Sequence, residues 1–165
     1  AIGAFVIFGD PELTTAAAKA LLAIAPAYDY IITAEAKGIP LAHEMARLAG
    51  NQKYLVARKK AKAYMQEVFD VPVHSITTAG EQHLFLDKAD AELIHGSRIC
   101  IVDDVISTGE SLHAVEELVK AAGGNVVGRL AILAEGDSQT RDDILYLEKL
   151  PLFHPDGTIL EGSLH

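Results

Sequence analysis

The chain has 165 residues, half of them hydrophobic, and a formal net charge of -9. This length suits one buried core and leaves no room for a second, so we expect a single domain over residues 1–165. The acidic balance disfavours nucleic acid as a partner. The first residue is alanine rather than methionine, so we do not take the amino terminus as complete.

The sequence offers little evidence for a membrane segment, a disulfide or a transition-metal site. The opening apolar run, Ala1 to Phe8, is too short to span a bilayer and lacks the basic flank of a secretory signal. Cys100 is the single cysteine and lies in an apolar run, so we assign it to the core. His83 and His113 lack metal-ligand spacing, and we expect structural roles for them. These features favour a cytoplasmic protein.

The first half of the chain alternates between helical and strand-like patterns, which is typical of a mostly parallel sheet. Asp10 and Pro11 predict the start of a helix, and Gly50 predicts the end of a second helix that begins near Ile39. We predict strands at Tyr30 to Thr33 and Tyr54 to Ala57. The helical spacing predicts these inward-facing residues: Leu13, Ala17, Leu21, Ile24, Leu41, Met45 and Leu48.

The second half continues the pattern and predicts an α/β, doubly wound fold with helices on both faces of the sheet. Segments 75–78 and 83–86 indicate an antiparallel hairpin, and the weak periodicity of 59–72 indicates a mobile loop. Apolar runs at 99–102 and 126–133 indicate buried strands. The helix between them should face inward through Leu112, Val115, Leu118 and Ala122 and stop at Gly123 and Gly124.

Two carboxylates, Asp103 and Asp104, stand where a buried strand meets a turn rich in hydroxyl groups. Ligands of open α/β sheets bind at that end of the strands. Ser107, Thr108 and Ser111 offer hydroxyl donors, and the helix that follows adds free N–H groups suited to a phosphate. Because carboxylates repel a phosphate, we expect the acidic pair to bind the hydroxyls of a phosphorylated sugar.

This segment resembles the phosphoribosyl-diphosphate motif of type I phosphoribosyltransferases, an apolar strand, two acids and a Thr-Gly phosphate loop. The resemblance implies that Asp103 and Asp104 hold the ribose hydroxyls and take part in catalysis. It also implies a 5-phosphate site in the loop that follows. The implied contacts of this segment are Asp103, Asp104, Val105, Ile106, Ser107, Thr108, Gly109, Glu110 and Ser111.

Two more segments are similar to the family, in the expected order. Residues 35–38 resemble its diphosphate loop: Glu35, Ala36, Lys37 and Gly38, the glycine expected to permit an unusual backbone geometry. Segment 53–62 is basic in an acidic chain, and its predicted substrate contacts are Arg58, Lys59 and Lys62. We assign a catalytic role to Lys59 as well, since it follows a core strand and should overlook the crevice.

The resemblance implies that a nucleobase nitrogen displaces diphosphate from ribose C1 of 5-phosphoribosyl-1-diphosphate. Mg²⁺ would be held through substrate and water near Asp103 and Asp104, with no metal ligand assigned directly. A loop at 60–73 would close over the site to exclude water. The family also implies a homodimer.

Base identity stays open, with adenine as the preferred guess. Ser107 stands where family members that use 6-oxopurines often carry an acid, which disfavours hypoxanthine and guanine. Segments 57–59 and 134–136 are closer to the adenine and xanthine branches. Glu81 is the one glutamate near the loop where the adenine branch places its catalytic acid. Segment 150–153 would form either part of a hood over the base or a packed terminal turn.

A catalytically silent domain is the alternative. Residues 35–40 closely resemble the domain with which bacterial purine repressors sense phosphoribosyl diphosphate. Such repressors need a DNA-binding module upstream, and neither the start of this chain nor its negative charge favours one.

Overall fold

The computed structural model describes residues 3–74 and 81–165. Four helices flank the sheet: α1 Pro11–Ile24, α2 Ile39–Ala49, α3 Lys88–Ile94 and α4 Glu110–Ala121. The strands, in chain order, are β1 Tyr30–Ala34, β2 Leu55–Ala57, β3 Val68–His74, β4 Glu81–Asp87, β5 Arg98–Ile106, β6 Asn125–Glu135 and β7 Leu145–Leu150. A short 3-10 helix, Gly136–Thr140, follows β6.

Five of these strands form one parallel sheet in the order β2-β1-β5-β6-β7. After β1 the chain moves to one side of the sheet through α2 and β2, and after β5 it moves to the other side through α4 and β6. The direction of winding therefore reverses between β1 and β5. Such a reversal leaves a crevice at the carboxyl ends of the two strands. The doubly wound α/β prediction is confirmed.

The central strands are buried on both faces because their side chains alternate between two hydrophobic clusters. Ile31 and Cys100 pack in the cluster on the side of α1 and α2, whereas Ile32 and Ile101 pack in the cluster on the side of α4. Successive side chains of a strand point to opposite faces. This explains the unbroken apolar runs, and Cys100 is a core residue, fully buried.

The helix boundaries match the predicted capping residues. Asp10 accepts a hydrogen bond from Leu13 N at 2.9 Å, and Gly50 ends α2 with φ +73°. Two predicted inward residues were wrong, since Leu13 and Ile24 are 37% and 45% exposed. Ala122 is half-buried and packs against the core, as predicted.

The core positions of α1 include Thr14 and Ala18 beside the predicted Ala17 and Leu21. The buried face of α1 is therefore centred slightly away from the predicted one, whereas the predicted Leu112, Val115 and Leu118 of α4 are all buried. Small side chains at Ala17 and Ala18 let α1 approach α2 and the sheet closely, which leaves the bulkier Leu13 at the rim.

The hairpin exists, but its first strand is not the predicted one. β3, Val68–His74, pairs antiparallel with β4, Glu81–Asp87, and the predicted strand at 75–78 lies outside the described residues. The predicted mobile loops at 59–72 and 60–73 were wrong for residues 68–73. Phe69, Val71 and Val73 alternate inward there, a period of two that a search for helical spacing misses.

The carboxyl-terminal segment is packed rather than suspended over the sheet. Gln139 Nε2 donates to the carbonyl oxygens of Leu150 and Ser163, and Leu152 N donates to Ser163 Oγ. Phe153 forms an isolated bridge with Ile159. Segment 150–153 is thus the end of β7 and a packed extended segment, not a turn, and its role as a hood over a base stays a prediction. Within the described residues, no helix is both long and apolar enough to cross a bilayer.

Candidate active site

The crevice between the ends of β1 and β5 brings together two of the predicted segments. Residues 35–38 connect β1 to α2. Asp103 to Ile106 are the last four residues of β5, which extends four residues beyond the predicted strand end. β6 is also longer than predicted and carries Glu135 to the same edge. Parallel strands place all three segments at one edge of the sheet.

Gly38 packs directly against the acidic pair. A Cβ at this position would lie 2.2 Å from Thr33 Oγ1 and 3.3 Å from Asp103 Oδ1, and Thr33 is fully buried. The expectation of an unusual backbone at Gly38 was wrong, since its φ of -75° and ψ of -13° are ordinary helical values. Glycine is needed here for close approach and not for conformation.

Asp103 and Asp104 interact with each other at the end of β5. Asp103 Oδ1 accepts a hydrogen bond from Asp104 N at 2.8 Å, and Asp104 is buried. Burial raises the pKa of Asp103 to about 8, helped by the hydrogen bond and the charge of the Asp104 side chain and opposed by the positive charge of Lys59. The pair is thus poised to hold one proton until a cation or hydroxyl partner arrives.

This shift makes stability depend on pH. Between the ordinary pKa of 3.8 and about 8, folded Asp103 keeps a proton that the unfolded chain releases, so raising the pH lowers the free energy of unfolding. Between about pH 5 and pH 9, we expect the free energy of unfolding to fall by ~1 kcal/mol or more less in Asp103→Asn than in wild type. Urea unfolding across that range measures it.

Asp156→Asn is the matched control, because hydrogen bonds from Thr158 lower the pKa of that exposed carboxylate and its titration ends below the range. The control should keep the wild-type slope. Equal slopes for wild type and Asp103→Asn would show that the pair ionises normally.

Glu35 holds the basic segment in place. Its Oε1 accepts a hydrogen bond from Lys59 N at 2.6 Å, and its Oε2 lies 3.3 Å from Arg58 Nε. That nitrogen is buried and, within the described residues, has no hydrogen bond of good geometry. Both carboxylate oxygens of Glu35 thus face the segment after β2. We infer that Glu35 positions Arg58 and Lys59 and is not itself an anion ligand.

The loop 106–111, which we predict to bind the 5-phosphate, joins β5 to α4. Gly109 has φ +82° and precedes α4, whose first N–H groups face the loop, and Thr108 Oγ1 accepts from Glu110 N at 3.3 Å. The Ser107 hydroxyl donates to the buried Glu135 Oε1 at 2.9 Å, a contact that the sequence did not indicate. Ser111 and Thr108 are the other hydroxyl groups of this loop.

A cleft of about 1170 Å³ opens beside the loop. Its walls are the phosphate loop, the segment after β2 and the β3–β4 hairpin. The lining residues with polar side chains are Lys59, Lys60, Gln82, His83, Thr108, Glu110, Ser111, His113 and Arg141. Cations and hydroxyl donors therefore share a cavity large enough for a phosphorylated nucleoside.

Some predicted contacts lie away from this cleft. Lys62 N donates a hydrogen bond to Met65 Sδ, and Lys62 does not line the cleft. Nor is the cleft lined by the residues of the adjoining crevice, which are Asp103, Asp104 and residues 35–38. Arg141 was missed because it lies in a polar turn without a motif. His83, assigned a structural role, lines the cleft while pairing with Asp70 at 2.5 Å.

The described residues contain no group of three or more His, Cys, Asp and Glu side chains arranged to hold a metal ion. Asp103 and Asp104 supply two carboxylates, which suit a hydrated Mg²⁺ shared with a diphosphate better than an ion held by protein alone. The pair therefore fits a cation carried in with the substrate.

Comparison with known proteins agrees with this geometry. The phosphoribosyl transferase domain family matches residues 12–151, which include the crevice and the phosphate loop. The chain belongs to this family. The match confirms the family that the sequence motif predicted, and the sheet flanked by helices is the fold of that family.

The similar proteins include hypoxanthine/guanine phosphoribosyltransferases and adenine phosphoribosyltransferases. A hypoxanthine/guanine phosphoribosyltransferase of Methanococcus voltae is 33% identical over 163 residues, which cover 95% of this chain and 83% of that protein. One of Methanococcus maripaludis is 33% identical over 79% of this chain but only 66% of its own length. The crystal structure of an adenine phosphoribosyltransferase from Rhodothermus marinus superposes with a TM-score of 0.68 at 25% identity, covering 87% and 83% of the two chains.

Proposed function

We propose that this chain is a purine phosphoribosyltransferase that transfers the phosphoribosyl group of 5-phosphoribosyl-1-diphosphate to a base and releases diphosphate. The observation that carries the proposal is the meeting of Asp103 and Asp104 with the Gly38 turn, beside a phosphate loop. In this role the acidic pair binds the ribose hydroxyls, and the loop 106–111 binds the 5-phosphate through backbone N–H groups. The family and the purine names of its relatives support this reading.

The diphosphate is assigned to the turn 35–38 and to the cations after β2. Lys37 and the amino terminus of α2 follow β1, and Arg58 and Lys59 follow the neighbouring strand β2, held by Glu35. These positive groups stabilise the charge that develops on the departing diphosphate. Mg²⁺, when bound with the substrate, neutralises that charge further.

The order of events follows from where these groups stand. Binding by Asp103 and Asp104 fixes the ribose so that C1 faces the cleft, and a base nitrogen attacks C1 as the C1–O bond to diphosphate breaks. Positioning and electrostatics supply most of the rate in such a reaction, and no protein nucleophile is needed. The β3–β4 hairpin lines one wall of the cleft through Gln82 and Leu84.

Adenine remains our preferred base, on the resemblance of segments 57–59 and 134–136 to the adenine and xanthine branches. Ser107, bound to Glu135, supports this choice because a neutral hydroxyl replaces the acid that 6-oxopurine enzymes often carry. The relatives that are named hypoxanthine/guanine phosphoribosyltransferases support hypoxanthine and guanine as the alternative substrates. We assign no general acid, since Glu81 is the one candidate from its loop and its side chain lies outside the described set.

Turnover tests the proposal. The protein is incubated with Mg²⁺, 5-phosphoribosyl-1-diphosphate and, in turn, adenine, hypoxanthine, guanine, xanthine and uracil, and diphosphate release is measured. We expect release with a purine, fastest with adenine, and none with uracil. Faster release with hypoxanthine or guanine would reject the adenine preference and keep the enzyme.

Binding without turnover defines the alternative. Calorimetric binding of 5-phosphoribosyl-1-diphosphate, together with no diphosphate release for any base, would favour the sensor domain of purine-repressor type. No binding at all would reject both functions. The same preparation analysed by ultracentrifugation tests the proposed homodimer, and its mass compared with 17.6 kDa for one chain decides it.

A further inference from the structure

Arg141 stands at the phosphate loop although no motif includes it. It follows the 3-10 helix 136–140 and lines the same cleft as Thr108, Gly109 and Ser111. A Cβ built on Gly109 would lie 2.8 Å from Arg141 Nη1. The guanidinium therefore sits within contact distance of the turn that we assign to the 5-phosphate.

Asp143 fixes the direction of this guanidinium. Arg141 Nε donates to Asp143 Oδ1 at 2.9 Å, and Nη2 donates to Oδ2 at 2.7 Å, so that the two planar groups meet through two parallel hydrogen bonds. Neither contact uses Nη1, the nitrogen at Gly109. The fork aims this remaining edge at the loop.

Asp143 is itself held from a second side. Its Oδ2 lies 3.8 Å from Arg129 Nε, and Arg129 Nε donates to Glu116 Oε1 of α4 at 2.5 Å. Four charged side chains thus connect β6, α4 and the turn before β7. This network limits the movement of Arg141 relative to the helix whose amino terminus forms the phosphate loop.

We propose that Arg141 is a specificity residue for the 5-phosphate, its Nη1 edge donating to a phosphate oxygen, and that Asp143 is the residue that positions it. This assignment rests on the proposed function. Helix N–H groups alone bind many anions, whereas a fixed guanidinium edge favours a tetrahedral phosphate oxygen in one place. The site would thereby select a sugar phosphorylated at the far end from C1 over the unphosphorylated sugar.

The test is the affinity of two probes for the whole protein, measured by calorimetry. We expect Arg141→Gln to weaken ribose 5-phosphate by about 10- to 100-fold, the range for one hydrogen bond between charged groups. Diphosphate binds at the other end of the proposed site and should keep its affinity within about 2-fold. In turnover, KM for 5-phosphoribosyl-1-diphosphate should rise while kcat changes little.

Two further variants distinguish the effect of the positive charge of Arg141 from the effect of the orientation of its guanidinium group. Arg141→Lys keeps the charge but loses the fork, so its affinity for ribose 5-phosphate should fall between those of wild type and Arg141→Gln. Asp143→Asn keeps Arg141 intact, and we expect a smaller loss, about 3- to 10-fold, because the guanidinium is less well directed. A loss in Asp143→Asn equal to that in Arg141→Gln would also support the positioning role.

Arg98→Gln is the matched control. Arg98 makes the same kind of two-point contact with Asp29, at 3.0 and 3.3 Å, but at the opposite end of β5. It should bind both probes as wild type does. Unchanged affinity of folded Arg141→Gln for ribose 5-phosphate, or equal losses for both probes, would overturn the assignment.

The proposed function and this assignment fail in distinguishable ways. A wild-type protein that binds ribose 5-phosphate but releases no diphosphate would reject the enzyme, while the affinities of the variants still decide the role of Arg141. Thermal unfolding of each variant shows whether a lost affinity comes from a lost fold. A wild-type protein that does not bind ribose 5-phosphate would overturn the assignment of Arg141, while diphosphate release with a base still decides the proposed function.

Discussion

Replacing Asp103 and Asp104 together by asparagine is expected to lower kcat/KM by about 10²- to 10⁴-fold, from the loss of two hydrogen bonds to charged groups. The variant keeps the size of both side chains but removes the two carboxyl groups that we assign to the ribose hydroxyls. Steady-state diphosphate release and calorimetric titration with 5-phosphoribosyl-1-diphosphate measure the loss. Affinity should fall with activity.

The same double variant should fold at least as well as wild type. The pKa of Asp103 is raised because its side chain is desolvated and close to Asp104. Ionisation of this pair therefore destabilises the folded protein when no substrate is bound. Asp29→Asn is the matched control, since Asp29 pairs with Arg98 at the far end of the sheet. A folded double variant with wild-type affinity for the sugar diphosphate would show that the acidic pair is not the ribose site.

Gly38→Ala is expected to reduce kcat/KM at least 100-fold, the size of effect that follows from displacing bound substrate by about 1 Å. The new methyl group would overlap Thr33 Oγ1 and lie 3.3 Å from Asp103 Oδ1. Thr33 is fully buried, so we expect the turn 35–38 to move away from β5. Overpacking of this kind costs about 1–3 kcal/mol of stability. Kinetics and urea unfolding measure the two effects.

A second substitution tests the steric reason. Thr33→Ala removes the hydroxyl that meets the new methyl group, so the double variant should recover part of the activity that Gly38→Ala loses. Gly50→Ala is the control for stability alone, because Gly50 has φ +73° with open space around it and lies at the far end of α2. It should lose about 1 kcal/mol and keep full activity. Full activity in Gly38→Ala would remove the turn from the site.

Local signals explain why much of the fold was predictable. Asp10, Pro11 and Gly50 act within one helical turn, and the apolar run 99–102 must be buried on both faces wherever it lies. Strand β3 was not predicted, because Pro72 and alternating polar residues weaken the strand pattern of this segment. The strand is stabilised by pairing with β4. Only a partner strand, distant in sequence, makes such a segment regular.

The candidate site could be predicted from segments in which a motif places several functional residue types next to one another in the chain. The acidic pair, the phosphate loop and the turn 35–38 are each continuous, so residue type and order were sufficient to suggest a ligand. Glu35 also belongs to a motif, yet its contacts with Arg58 and Lys59 span more than 20 positions of the chain. Residue type alone did not distinguish an anion ligand from a residue that positions cations.

The sequence was sufficient to predict the family, α1, α2, α4 and the strands β1, β2, β5 and β6, but not α3, β3 or β7, because the signals for the predicted elements lie between near neighbours in the chain. The tertiary structure alone decided that Gly38 must be small, that Ser107 serves Glu135, and that Arg141 reaches Gly109. Each of these depends on the distance between side chains from different strands and loops. Such distances are set by packing of the whole sheet and its helices, and no local pattern records them.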